Sequence, residues 1–185
     1  MRKLMRKRRA KFLEQLSPSE RNMVFKHPPT PVKAMISNAE NIAFYAPIAS
    51  EAPTAGLVEY CRAQEKHLLL PHILQEQGKM EFLRWNADDV LLKSDCATSE
   101  PPSDRQSVSP DLIFVPLLAF DRRLNRLGQG GGFYDRALFA FPDAQKIGLA
   151  WSIQEVDMLP TDTHDQRLNA ILTECEIIEK QDIQQ

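Results

Sequence analysis

Short apolar runs alternate with amphipathic stretches along most of the chain. Asn41-Ile-Ala-Phe-Tyr-Ala46, His67-Leu-Leu-Leu70, Asp111-Leu-Ile-Phe-Val-Pro116, Lys146-Ile-Gly-Leu-Ala-Trp151 and Asn169-Ala-Ile-Leu-Thr173 are too short for helices and too continuously apolar for strands with a wet face. They read as buried strands, the second ended by Pro71. Met80 to Trp85 alternates and predicts a more exposed strand. Between these runs the spacing turns helical. A basic helix is expected from Arg2 to Gln15, and Ser17-Pro18-Ser19-Glu20 has the form of a capping box that opens a second helix. Pro28, Pro29 and Pro31 stop that helix. Thr54 can cap a third, through about Lys66, with Leu57, Val58 and Cys61 on one face. A fourth starts near Phe133 and runs to about Phe141. The polar stretch from Ala97 to Pro110 reads as a surface loop.

Strands alternating with helices predict an α/β fold of three layers, a mainly parallel central sheet with helices on both faces. Ligands of such sheets sit outside the carboxyl ends of the strands. That selects the loops Ser50 to Thr54, Ala119 to Asp135 and Trp151 to Asp165. At 185 residues, 43% hydrophobic and 26% charged, the chain suits one domain over 1–185. No internal repeat is evident.

A formal net charge of -2 argues against nucleic acid or an anionic membrane as the main partner. The charge is uneven, however: Arg2, Lys3, Arg6, Lys7, Arg8, Arg9 and Lys11 precede any acidic residue. No apolar segment follows them as a secretion signal would require, a transit peptide stays open, and no apolar run approaches the roughly 20 residues of a membrane span. A cytoplasmic protein, monomeric, is the expectation. Cys61, Cys96 and Cys175 have no metal or disulfide spacing, and Cys61 reads as a small buried hydrophobe. The four histidines form no metal pattern; His164, beside Asp165, alone invites attention.

Four of the seven glycines fall in Asn125-Arg-Leu-Gly-Gln-Gly-Gly-Gly-Phe-Tyr-Asp-Arg136. Glycine lets backbone N–H groups turn toward an anion, and the helix that follows adds its positive end. The run lacks the Lys-Ser/Thr of a P-loop and the third glycine of a dinucleotide fingerprint. A plain glycine-rich turn is the competing reading. Arg126, Arg136 and Asp135 favour a polyphosphate held with a divalent cation.

The runs Asp111 to Pro116, Ala119-Phe120-Asp121 and Asn125 to Arg136 together closely resemble the signature of the 5-formyltetrahydrofolate cyclo-ligases, also called methenyltetrahydrofolate synthetases. The basic segment before Leu16-Ser-Pro-Ser-Glu-Arg21, a glutamate after the first strand, and Leu159-Pro160 with Asp165 fall in the family's order. The resemblance implies ATP- and Mg²⁺-dependent closure of 5-formyltetrahydrofolate to 5,10-methenyltetrahydrofolate, with ADP and phosphate released, on a Rossmann-like cyclo-ligase fold. By position it implies ATP contacts from Arg2, Lys3, Leu4, Met5 and Arg6 and from Arg126, Leu127, Gly128, Gln129, Gly130, Gly131, Gly132, Phe133 and Tyr134. It implies folate contacts from Ala46, Glu51 and the turn Gln129 to Phe133, and metal contacts from Asp135 and Asp165. The chain departs from the pattern at Leu117, where glycine is usual, at Pro53, at Gly131 and at Arg2.

Read without the resemblance, each residue has a plainer role. Asp165 would be a solvated loop carboxylate, Asp135 a first-turn carboxylate on a helix dipole, the basic face a solvated surface, and Glu51 an ordinary loop glutamate. Of Tyr134, Trp151 and Trp85, Tyr134 is the one expected to stack on a pterin, the tryptophans being expected in the core. Two other functions compete: an ATP-using kinase or nucleotidyl transferase of the same fold type, and a noncatalytic RNA-binding protein using the basic N-terminus.

Overall fold

A computed structural model describes residues 1–74, 78–86, 89–93, 99–162 and 165–180. Cys96 and His164 lie outside the described residues. Helix α1 covers Arg2–Glu14, and α2, Pro18–Met23, opens on the predicted capping box, with Ser17 accepting from the Glu20 amide and Glu20 from the Ser17 amide. Helix α3, Thr30–Asn38, was not expected from the prolines. Pro31 sits in its first turn, where a missing N–H costs nothing, and Val32 and Ile36 are fully buried on its inner face.

Seven strands form the central sheet: β1 Asn41–Ala43, β2 His67–Leu74, β3 Lys79–Arg84, β6 Leu112–Pro116, β9 Gln145–Leu149, β10 Ala170–Leu172 and β11 Ile177–Glu179. Their order is β11-β10-β9-β6-β1-β2-β3. The four inner pairings are parallel, and β3 and β11 add antiparallel edges. Two small hairpins, β4 Leu92–Lys93 with β5 Ser99–Glu100 and β7 Ala119–Phe120 with β8 Arg126–Leu127, stand apart from it. β5 falls within the predicted 97–110 loop.

Pro71 does not end β2; it pairs opposite Phe82. The Phe44 amide donates to the Leu69 carbonyl at 2.9 Å, so Leu69, Pro71 and Ile73 turn their backbone polar groups toward the β1 side, and β1 stops at Ala43. The missing proline N–H therefore faces a gap in the ladder.

Alternation along β6 splits the core. Leu112 and Phe114 pack with Val32 and Ile36 of α3 and with Leu57, Val58 and Cys61 of α4 (Ala55–Ala63), while Ile113 and Val115 pack with Ala137 and Leu138 of α5 (Phe133–Ala140). Helices thus cover both faces, leaving the carboxyl ends of β1, β6 and β9 free to carry a site. Among the described residues no helix is long and apolar enough to cross a membrane.

Candidate active site

Arg2, Met5, Arg6 and Arg9 recur three and four residues apart and so share one face of α1. Met5 anchors that face in a small cluster with Leu118, Ala119 and Leu159. The arginines reach outward from this anchor. Arg2 Nε donates to the Gly128 carbonyl at 3.0 Å, and Arg6 donates to Gln129 Oε1 through Nε at 3.0 Å and Nη2 at 2.8 Å. Leu4 lies 67% exposed, away from this face. The basic helix is therefore docked onto the glycine turn rather than simply solvated.

The turn is shaped by what precedes and follows it. Asp121, fully buried, accepts from the amides of Arg123, Asn125 and Leu159 and from the Asn125 side chain, each at 3.0–3.1 Å. Burial alone would raise its pKa, but these donors hold the carboxyl below its ordinary value. Asp121 thus fixes the β7–β8 hairpin against the Leu159 segment. It stood inside the signature run, yet only the structure gives it this role. Downstream, Gly132 caps α5 at φ 66°, and a Cβ there would meet Arg136 Nη1 at 2.8 Å. Arg136 donates to the Gly78 and Gly131 carbonyls and lies over the Phe133 ring at 5.0 Å. It fastens the turn from outside and does not line the cleft.

Arg126 Nη2 donates to Asp135 Oδ1 at 2.6 Å, with the Arg126 side chain 3% exposed and its Nε without a partner among the described residues. Asp165, exposed, accepts the Asp162 amide on Oδ2 at 2.7 Å. Asp135 and Asp165 line one cleft of about 1110 Å³, and each keeps an oxygen that no described group occupies. Among the described residues no three His, Cys, Asp or Glu side chains group as a metal cage. Two hard carboxylates without a third suit a cation that takes its remaining ligands from a phosphate and water.

On the other wall stands Glu51, 8% exposed. Its Oε2 accepts the Ile48 amide at 3.1 Å and its Oε1 accepts Gln129 Nε2 at 3.3 Å. Burial raises its pKa, opposed by the Ile48 amide, the Arg9 charge and Gln129. The phenols of Tyr45 and Tyr134 are pushed up by burial first and by Glu51 second. Tyr45 donates to the Ala52 carbonyl at 2.7 Å, whereas the buried Tyr134 hydroxyl has no partner among the described residues. Trp151 is core: fully buried, tilted against Phe12 and Phe25, its Nε1 on the Ser50 carbonyl at 3.1 Å.

The same cleft is lined by Arg2, Lys3, Ala46, Glu51, the run Arg126 to Asp135, and Asp165. Leu4 and Met5 are not brought to it, and Arg6 reaches it through Gln129. Leu117, the departure from the family pattern, turns its side chain away, since a Cβ on Gly148 of β9 would meet Leu117 Cδ2 at 2.7 Å. What it offers the site is its carbonyl, bonded by Arg9 Nη1 at 3.2 Å and Gln154 Nε2 at 2.7 Å.

The sequence profile of the 5-formyltetrahydrofolate cyclo-ligase family matches residues 1–174. The 5-formyltetrahydrofolate cyclo-ligase of Haemophilus influenzae is 38% identical over 72% of this chain and 75% of its own length, and that of Escherichia coli is 32% identical over 76% and 81%. Among solved structures, the 5,10-methenyltetrahydrofolate synthetase of Aquifex aeolicus superposes with a TM-score of 0.74 at 27% identity, covering 100% of this chain and 95% of that one.

Proposed function

The chain belongs to the 5-formyltetrahydrofolate cyclo-ligase family, and from that premise we propose that its cleft closes 5-formyltetrahydrofolate to 5,10-methenyltetrahydrofolate at the expense of ATP, with Mg²⁺, releasing ADP and phosphate. It is an enzyme of folate one-carbon metabolism. The finer proposal concerns how the residues serve the reaction.

A formamide carbonyl is a weak electrophile, because the nitrogen lone pair is delocalised into it and oxide is a poor leaving group. Transfer of the γ-phosphoryl group to the formyl oxygen removes both obstacles: the neighbouring ring amine can then attack the carbon, and phosphate departs. Such a reaction asks the protein for alignment and charge neutralisation rather than a nucleophile. Arg2, Lys3, Arg126 and the amides of the turn Gly128 to Gly132 supply positive potential along one wall for the triphosphate. Both Nη groups of Arg2 have no bonded partner among the described residues. The free oxygens of Asp135 and Asp165 would hold Mg²⁺, which when bound neutralises phosphate charge. On the opposite wall Glu51 accepts hydrogen bonds from the pterin's amino and ring N–H groups, with Ala46 and Phe133 bordering the ring and Tyr134 offering its face.

One observation carries the reading: the Gln129 side chain accepts from Arg6 and donates to Glu51, so the cation wall and the carboxylate wall meet at a single residue of the glycine turn. Two substrates bound on these walls would meet there as well. The test is methenyltetrahydrofolate absorbance developing from 5-formyltetrahydrofolate, with ATP and Mg²⁺ each omitted in turn. Loss of signal on either omission is expected, and an undiminished signal without ATP refutes the proposal. ADP release without folate, or salt-sensitive RNA binding with no turnover, would return the argument to the kinase or RNA-binding alternatives.

A further inference from the structure

Arg9 is 3% exposed, yet among the described residues no carboxylate forms an ion pair with it. Nε donates to Ser50 Oγ at 3.0 Å and Nη1 to the Leu117 carbonyl at 3.2 Å, both neutral oxygens on the loops after β1 and β6. A guanidinium stripped of water without a paired anion is costly and needs a reason. Anchoring α1 is a poor one. Met5 already packs with Leu118 and Leu159, Phe12 lies on Trp151 at 5.6 Å, and the Leu117 carbonyl has Gln154 as a second donor. What the charge does reach is Glu51, next in sequence to Ser50.

We propose that Arg9 is a positioning residue for Glu51: by gripping Ser50 and Leu117, its buried guanidinium fixes the loop that carries the carboxylate and ties it to the docking of α1 on the glycine turn. Arg2 and Arg6 precede Arg9 on the same face, so whatever draws α1 onto the turn also seats Arg9 against Ser50, the neighbour of Glu51. The charged and titratable groups facing Glu51 are Arg9 from α1, Tyr45 after β1 and Tyr134 from α5. Arg9 is the only cation among these three. Burial opposes ionisation of Glu51, and Arg9 counters it. The inference rests on the reading that Glu51 binds the folate.

The experiment measures KM for 5-formyltetrahydrofolate and for ATP, kcat, and the pH dependence of folate KM, for Arg9→Met and Arg9→Lys alone and with Glu51→Gln. Arg9→Met should raise folate KM about tenfold, the equivalent of 1.4 kcal/mol, with kcat changed by less than about twofold. The rise in folate KM on acidification should begin at higher pH than in the parent. Arg9→Lys should recover most of the loss. On the Glu51→Gln background Arg9→Met should add less than about twofold, because no charge is left to position. Full additivity, or an unchanged folate KM in Arg9→Met, overturns the inference while leaving the Glu51 reading intact. If Glu51→Gln alone leaves folate KM unchanged, the Glu51 reading falls and this inference with it. Should Arg9→Met fail to fold, Ser50→Ala takes its place, and an unchanged folate KM there is the overturning result.

Discussion

The two walls of the cleft place their charges differently. Around the turn between β8 and α5, Arg2 and Arg6 of α1 are exposed, Gly130 and Gly131 face solvent, and Asp135 in the first turn of α5 keeps part of its carboxylate accessible. On the loop after β1 Glu51 and Tyr45, and beside them Arg9 of α1, are each below one-tenth exposed. The open wall can trade water for phosphate oxygens with little reorganisation, which suits a ligand that arrives with its own cation. The closed wall holds one carboxylate in a fixed place against the pull of burial, which suits a flat heterocycle read by hydrogen bonds. Charge that water can reach is screened by salt, and buried charge much less so. The walls should therefore answer differently to mutation, salt and pH.

The largest effect is expected at Asp135, where the open wall would hold the proposed cation. Asp135→Asn should lower kcat/KM for ATP about a thousandfold, roughly 4 kcal/mol of transition-state stabilisation, read as Mg²⁺-dependent ADP release. The substituted amide retains an oxygen for Arg126, so the fold survives; but the buried guanidinium loses its paired charge, and some loss of Tm should accompany the loss of turnover. Near-normal turnover would rule out the proposed metal role of Asp135.

Glu51→Gln comes next, with folate KM raised about a hundredfold and ATP KM little changed, on the scale of a charge-assisted hydrogen bond lost from a dry site. Because the Glu51 pKa is raised, folate affinity in the parent should fall as pH drops through that raised value. The substituted enzyme should show no such limb. An acid limb persisting in Glu51→Gln would place the titrating group elsewhere.

Smaller again is Arg2→Ala with Arg6→Ala, expected to raise ATP KM about tenfold and to flatten its dependence on ionic strength. Deleting Met1 to Arg6 is the blunter form of this test, since it also removes the Met5 anchor. A salt dependence equal to the parent's would show that these arginines only hold the turn.

The same contrast governs how far the molecule was legible from its sequence. Continuous apolar runs marked β1, β2, β6, β9 and β10, and the glycine turn declared itself by composition. What escaped were features whose signal lies in partners distant along the chain. α3 was hidden because Pro31 reads equally as a stop or as a first-turn residue until Val32 and Ile36 find a core. β2 outruns Pro71 because β1 is short, a fact of the neighbouring strand. Leu117 looked like a threat to the site, yet Gly148 opposite Val115 leaves it room. On the open wall the glycine turn and Asp135 could be picked out from composition, whereas which faces of α1 and which arginines reach the cleft could not. On the closed wall the strand-end rule marked the Ser50 to Thr54 loop and the family's order singled out Glu51 within it, but Arg9, one cation among seven before Phe12, could not be told from its solvated neighbours.

The smallest expected effect separates the two walls most cleanly, because its sign depends on burial. For Glu51 the folded-state pKa lies above the ordinary carboxylate value, so the folded chain holds that proton more tightly than the unfolded chain. Ionisation at neutral pH then subtracts stability, and the loss is regained as pH falls through the raised value toward the unfolded one, about 4.3. Glu51→Gln removes the ionisation while its amide oxygen can still accept the Ile48 N–H, so Tm at pH 7 should rise by a few degrees as activity falls. Below about pH 3, where the parent's carboxyl is protonated in both states, the two proteins should melt together. A lower Tm at pH 7 would mean that the hydrogen bonds to the carboxylate outweigh its desolvation, and that the closed wall is held together by Glu51 rather than strained by it.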